Sequence, residues 1–296
     1  MATGPFGRAL GARNRLPAVR LVSYRSPDGP RAGLLRGEEV LDAWSALGEP
    51  QRASLRELIA EGRMGDLESA DAASPVPDAA LVPPIPDPEK IVCIGLNYRS
   101  HAAEAGIDPP SSPTFFAKYR NALADPGATV PLPPASQKVD FEAEVAFVIG
   151  RRARDVAEDR ALDHVAGYTL FNDLSARDLQ VATQQWMPGK VFDGSAPCGP
   201  ALVTPEEAGP HDAINISLQL NGETMQSAST SDLIFSVPQL LARLSALMTL
   251  EPGDLISTGT PSGVGSVREP PVWLAEGDEI VISSSTLGRL ETRIGA

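Results

Sequence analysis

The sequence predicts an α+β fold that is mainly β, and three observations carry the prediction. Apolar runs of strand length outnumber helical patterns, turn residues separate those runs at short intervals, and Asn221-Gly222 directly follows the run ISLQL. Both central positions of a type I′ turn need positive φ. The Asn-Gly pair is therefore a strong hairpin signal, and it favours antiparallel pairing over a doubly wound parallel sheet.

In chain order, residues 1–15 carry Arg8, Arg13 and Arg15, contain no acid and lack the apolar core of a signal peptide. They read as a flexible tail, with an organelle transit peptide as the alternative. Residues 16–82 read as a small N-terminal α+β domain: AVRLVSYRSPDGPRAGLLRGEEVLDAW gives short strands broken at Pro27-Asp28-Gly29, and SLRELIAEG is helical. A linker over 83–89 lies inside LVPPIPDPEK, whose four prolines leave no room for helix or central strand. The larger domain, 90–296, then offers KIVCIG, TFFAK, FEAEVAFVIG, AGYTLFND, INISLQL, DLIST and DEIVISS as strands. SARDLQVATQQ and PQLLARLSALM have helical patterns. There is no internal repeat.

Composition narrows the function. The 296 residues carry a formal net charge of -13, which repels phosphate backbones and anionic lipid, so nucleic acid and membrane surfaces are poor partners. No run of eighteen apolar residues is present. Two cysteines, Cys93 and Cys198, supply neither a disulfide framework nor a Cys-rich zinc site, and reduced, packed thiols fit a cytoplasmic setting. The glycine-rich STGTPSGVG does not have the G-x-G-x-x-G spacing, Gly189-Lys190 is not a Walker loop, and no G-x-S-x-G or H-E-x-x-H occurs.

The stretch VDFEAEVAF is the chemically interesting one. On a strand, Glu142 and Glu144 share a face, roughly 6.5 Å apart at Cα, while Phe141, Ala143, Val145 and Phe147 take the other. Like charges so placed need either water or a cation between them, and taken alone the pair fits both. The same face continues with Ala146 and Val148, which turns it apolar. Asp173, where AGYTLFND meets SARDLQ, reads either as a helix N-cap or as a third acid delivered to the site at a strand end. Three carboxylates without Cys or His suit Mg²⁺ or Mn²⁺ rather than structural zinc. His101 and Glu104, three apart in a helical SHAAEAG, share a face and can form a hydrogen-bonded acid-base pair. Gly106 and Pro109-Pro110 would end that helix in a loop. Trp186, Met187 and Phe192 are expected to wall a pocket or the core.

Six ordered blocks, NYRSHAAEAG, FFAKYRNALADPG, DFEAEVAFVIG, FNDLSARDLQ, GKVFDGSAPCGP and GDLISTGTPSGVG, resemble the fumarylacetoacetate hydrolase family over residues 90–296. The resemblance implies a mixed β-roll catalytic domain behind the small N-terminal domain, homodimers, and a divalent metal, Mg²⁺ or Mn²⁺, on Glu142, Glu144 and Asp173. It implies that His101 and Glu104 are a catalytic dyad on a lid, and that Lys190 and Gln180 contact substrate or oxyanion. It further assigns Thr260 to the substrate carboxylate and Arg177 to a structural or substrate-orienting ion pair, with Asp178 as its partner or a helix-face charge. A fourth acidic ligand of the tyrosine-pathway members falls on Ile94 here, and Val191 stands where many members have Ser or Thr. The chain therefore resembles the acylpyruvate hydrolase and oxaloacetate decarboxylase branch. The implied reaction is hydrolysis of a C–C bond in a 2,4-diketo acid by water activated at His101, with the metal stabilising a pyruvate-type enolate. Lyase and isomerase chemistry on the same enolate, or a non-hydrolytic biosynthetic tailoring role, are the alternatives.

Overall fold

A computed structural model describes residues 18–68 and 74–295. The expected tail, 1–15, lies outside the described residues. Thirteen strands and five helices carry the account. The strands are β1 (Arg20–Ser26), β2 (Gly29–Arg36), β3 (Glu39–Asp42), β4 (Ile91–Gly95), β5 (Thr114–Lys118), β6 (Ala143–Ile149), β7 (Val165–Asn172), β8 (Ala196–Val203), β9 (Asn215–Leu220), β10 (Glu223–Ser229), β11 (Leu255–Ser257), β12 (Glu279–Ser284) and β13 (Gly288–Gly295). The helices are α1 (Leu55–Ala60), α2 (Arg99–Glu104), α3 (Arg177–Gln180), α4 (Met187–Lys190) and α5 (Val237–Leu247).

The large sheet runs β3-β2-β1-β8-β7-β6-β11-β4-β5. Its pairings are antiparallel except β4 with β11 and the short strand Leu123–Ala124 with β8. The second sheet runs β10-β9-β12-β13 and ends on Thr129–Pro131. The mainly β expectation is borne out, and so is the hairpin: Asn221 and Gly222 have φ of 51° and 83° between β9 and β10.

Strand β6 is buried along its whole length because the large sheet has a core on each side. Val145, Phe147 and Ile149 enter one core, with the second sheet and α5. Ala146 and Val148 enter the other, with Trp44, Leu55, Leu58 and Ile59 of the N-terminal segment. That segment joins the same sheet through β1 and β8. Along the proline-rich stretch, Ser23 donates to the Pro84 carbonyl at 2.7 Å and Ile85 is buried.

Helix α5 follows from its periodicity and from a capping box, in which Ser236 accepts from the Gln239 N–H while the Gln239 side chain accepts from the Ser236 N–H. The expected helix SARDLQVATQQ shrinks to α3. Beyond Gln180 the exposed, β-branched Val181 and Thr183 have no core to pack on, and the chain turns instead.

One buried cluster holds the N-terminal strands. Asp42 accepts from the Tyr24 hydroxyl (2.5 Å), Arg31 Nε (2.8 Å) and the Ser45 N–H (2.6 Å). Burial alone would raise the Asp42 carboxyl, but the bonds from Arg31, Tyr24 and Ser45 outweigh it and hold it below its usual value. Asp42→Ala is expected to lower stability by about 3 kcal/mol, since it orphans a buried hydroxyl and a paired guanidinium. Because the folded carboxyl titrates lower than the unfolded one, that contribution is present above about pH 4 and fades as pH falls further. Urea denaturation of wild type and variant at pH 7 and pH 3 reads the difference directly.

Candidate metal centre and its cavity

The site forms where β6 begins and β7 and β11 end. Ala143 pairs with Asn172 and Ala146 with Ser257, so these strand ends lie side by side at one rim of the sheet. Two bonds lock the junction: the Asp173 N–H donates to the Glu142 carbonyl (3.0 Å), and the Glu142 N–H to Asn172 Oδ1 (3.2 Å). As a result Glu142, Glu144 and Asp173 are buried together, each with an oxygen within 4.8 Å of the others'.

Three cations answer this charge. Lys190 Nζ donates to Glu142 Oε2 (2.6 Å), Asp173 Oδ2 (2.7 Å) and Ser175 Oγ (2.7 Å), which uses all its donors. Lys118 Nζ, fully buried, donates to Asp173 Oδ1 at 2.6 Å. Arg177 forks between Asp140 and Glu142, at 2.8 Å and 2.7 Å. Burial would raise the Glu142 carboxyl, but Arg177 and Lys190 overcome it and hold it well below the carboxylate range. Glu144 has no such partner. Among the described residues it accepts only from the Ser257 hydroxyl and the Gly259 N–H, and burial, then Asp173 and Glu142, push its carboxyl well above the ordinary value.

Four buried acids thus meet three bases, and the uncompensated charge falls on Glu144. A buried cluster of oxygen donors short of one positive charge is what a hard divalent cation fits, and the residues present fit one.

The other expected residues surround this cluster. His101 and Glu104 lie on α2, with Nδ1 3.4 Å from Glu104 Oε2. The helix closes in a Schellman motif, with Gly106 at φ 65° and the Ile107 N–H reaching the Ala102 carbonyl at 2.9 Å. At its base, Asn97 bonds the Phe235 and Thr258 carbonyls. Glu104 also accepts from the Gly263 N–H at 2.9 Å and 3.1 Å, so it ties α2 to the glycine-rich loop. Gln180 Oε1 accepts from Arg177 at 3.0 Å, leaving its amide nitrogen free to meet a ligand. The Thr260 hydroxyl is held between the Ala143 carbonyl and Gln226.

His101, Glu142, Glu144, Gln180, Lys190 and Thr260 all line one cavity of about 620 Å³, and Arg177, Trp186 and Ile94 line it too. Glu104, which is exposed, and Asp173, which is buried, do not line it. Met187 is exposed, and Phe192 packs against the core. Asp178 does not pair with Arg177. It holds the Ser136 hydroxyl at 2.6 Å and the Gln137 N–H at 2.9 Å.

Four members of the cluster escape a reading of the sequence: Lys118, Asp140, Ser175 and Ser257. Asp140 had a signal, since Asp140, Glu142 and Glu144 occupy alternate positions of one run. It accepts from the Gly265 and Ser266 N–H groups as well as Arg177, and so pins the glycine-rich loop to the centre. Lys118 closes the apolar run TFFAK, and nothing local in the sequence sets it apart.

A family model described as fumarylacetoacetate (FAA) hydrolase C-terminal matches residues 90–295. The chain is 38% identical to the bovine (Bos taurus) protein named oxaloacetate tautomerase FAHD2A, mitochondrial, over 93% of this chain and 91% of that one. Among solved structures, a fumarylacetoacetate hydrolase from Exiguobacterium antarcticum superimposes with a TM-score of 0.85 at 33% identity, covering 94% of this chain and 100% of that one. The 2-hydroxyhepta-2,4-diene-1,7-dioate isomerase from Mycobacterium marinum gives 0.76 at 32% identity, covering 94% and 98%.

Proposed function

The chain belongs to the fumarylacetoacetate hydrolase family and is an enzyme of it, and from that premise we propose metal-dependent enol–keto tautomerisation of a small 2-oxo acid of the oxaloacetate type. The buried carboxylate cluster, one positive charge short and open to a cavity that His101 lines, carries the reading. The relative named oxaloacetate tautomerase, matched over nearly the whole of both chains, supports this reaction. Mg²⁺ or Mn²⁺ held by Glu142, Glu144 and Asp173 would supply Lewis-acid stabilisation of negative charge developing on the substrate.

The chain's own groups do the rest. His101 exchanges a proton with the substrate carbon next to the 2-oxo group. Glu104, on the same helical face, orients the imidazole and keeps α2 docked on Gly263. Gln180 offers its free amide N–H to the substrate carboxylate, while Thr260, its hydroxyl held by Ala143 and Gln226, helps to shape the same cavity. Lys190 and Lys118 neutralise Glu142 and Asp173, which lets three carboxylates share one buried centre.

Hydrolysis of a C–C bond in a 2,4-diketo acid is the second reading. The His101–Glu104 pair favours it, because the same imidazole can take a proton from water. Ultraviolet assays of enolic oxaloacetate and of acetylpyruvate, each with Mg²⁺, Mn²⁺ or EDTA, separate the two. Faster enol decay with metal indicates the tautomerase, release of acetate and pyruvate indicates the hydrolase, and no metal-dependent change in either assay refutes both. His101→Ala is expected to reduce turnover by about 10²–10⁴-fold while calorimetry finds Mg²⁺ affinity essentially unchanged; a lost metal site in that variant would remove His101 from the lid role.

The homodimer implied by the resemblance and the cytoplasmic location belong to the same proposal. Light scattering decides the first and cell fractionation the second. Among the described residues, no helix is long and apolar enough to cross a membrane.

A further inference from the structure

The Gln180 amide, which lines the cavity, owes its orientation to a residue outside it. Arg177 Nη1 donates to Gln180 Oε1 at 3.0 Å. A guanidinium carries donors only, so an amide that meets it must turn its oxygen to the arginine and its NH₂ the other way. Packing restrains the same side chain from behind. Residue 189 is glycine, and a Cβ there would stand 2.6 Å from Gln180 Cβ and 2.4 Å from the Ala176 carbonyl oxygen, so α4 closes tightly over the base of Gln180.

Arg177 is in turn aimed by Asp140, which is fully buried just ahead of β6 and does not line the cavity. Asp140 Oδ2 accepts from Arg177 Nε at 2.9 Å and pairs with Nη2 at 2.8 Å, so the guanidinium is gripped along one edge and Nη1 is left for Gln180. Nη2 also reaches Glu142 Oε1 at 2.7 Å. Asp140 is itself immobilised: the Phe141 and Gly265 N–H groups donate to Oδ1, and the Ser266 N–H to Oδ2. Glycine at 265 permits that grip, since a Cβ would stand 2.8 Å from Asp140 Oδ1 and 2.0 Å from the Val272 carbonyl oxygen. A carboxylate fixed by three backbone donors gives the guanidinium one orientation, and that orientation gives the amide one.

Resting on the 2-oxo acid reading above, we propose that Asp140 is a positioning residue. Acting through Arg177, it sets the polarity of Gln180, so that the wall presents a hydrogen-bond donor to the substrate carboxylate where a turned amide would present an oxygen.

Pyruvate and its neutral isostere pyruvamide, titrated by calorimetry into the protein at saturating Mg²⁺, test this through the ratio of their affinities. The wild type should favour pyruvate. Asp140→Asn turns an amide NH₂ toward Arg177 and releases it, and the ratio is expected to fall about tenfold, the scale of one hydrogen bond to a charged group. In a Gln180→Ala background the ratio is already low, and adding Asp140→Asn should change it no further; the lost charge is common to both backgrounds and cancels in the cycle. A purely structural role of Asp140 would lower the ratio equally with or without Gln180. Should Asp140→Asn fail to fold, Arg177→Lys, whose ammonium lacks the planar fork that spans Asp140 and Gln180, enters the same cycle with the same expectation. An unchanged ratio in the single variant, or an equal fall in both backgrounds, overturns the role of Asp140 and leaves the 2-oxo acid site standing. If the wild type binds neither probe, the 2-oxo acid reading falls and this inference falls with it.

Discussion

Glu144→Gln is expected to make the metal-free protein more stable and the metal-bound protein weaker, with Mg²⁺ affinity reduced at least about a hundredfold. The first effect follows from burial. Glu144 sits beside Glu142 and Asp173 with no cation of its own, so keeping it ionised in the fold opposes folding until one arrives. Glutamine has the same shape, and its side-chain oxygen can still accept from the Ser257 hydroxyl and the Gly259 N–H. The substitution therefore removes the repulsion and keeps the hydrogen bonds. The second effect follows from the donor set, because a neutral amide is a poorer ligand for a hard cation than a carboxylate. Urea denaturation in EDTA and in saturating Mg²⁺ checks both at once. Wild type should gain stability with metal, about 2.7 kcal/mol at a hundredfold excess over Kd, and the variant should gain little. A variant that gains as much as wild type would remove Glu144 from the ligands, and one that is less stable in EDTA would refute the account of its uncompensated charge.

Lys118→Met should be among the most destabilising single substitutions, costing about 3–5 kcal/mol. The lysine is fully buried, and its ammonium bonds both Asp173 Oδ1 and the Leu174 carbonyl, at 2.6 Å and 3.3 Å. Methionine fills similar space but leaves the buried Asp173 with Lys190 alone, while Lys190 already serves Glu142 and Ser175. The double variant Lys118→Met/Asp173→Asn removes the stranded charge along with its partner, so it should be more stable than Lys118→Met alone. Guanidinium melts of the four proteins in the cycle give the coupling. Additive losses would mean that Lys118 is held by packing and not by Asp173.

These residues differ in how visible they are in the chain. Strands β6 and β7 are legible because burial on both faces leaves long apolar runs, and α5 because its cap and its apolar period agree. Strand β13 is harder: Leu290, Thr292 and Ile294 point inward, but Arg289, Glu291 and Arg293 between them give it the look of a polar tail. At the site, Glu142 and Glu144 are legible as two charges on one face, since a strand's parity is a local property. Lys118 is not, because its chemistry depends on a partner 55 residues away, and no local pattern encodes that distance. The second role of Glu104 escapes for the same reason, as Gly263 lies 159 residues further on.

The parallel pairing of β4 with β11 sets Ile91 beside Leu255. Everything between them in the chain, including both halves of the acidic centre, is enclosed by that single contact. Loop closure over such a span is slow, and strand pairs of this kind form late. The hairpins β1–β2 and β9–β10 close over far shorter spans, whereas the centre is complete only when β11 is seated, because Ser257 and Gly259 then meet Glu144. Three residues, Leu255–Ser257, thus join the far side of the sheet to the acidic centre.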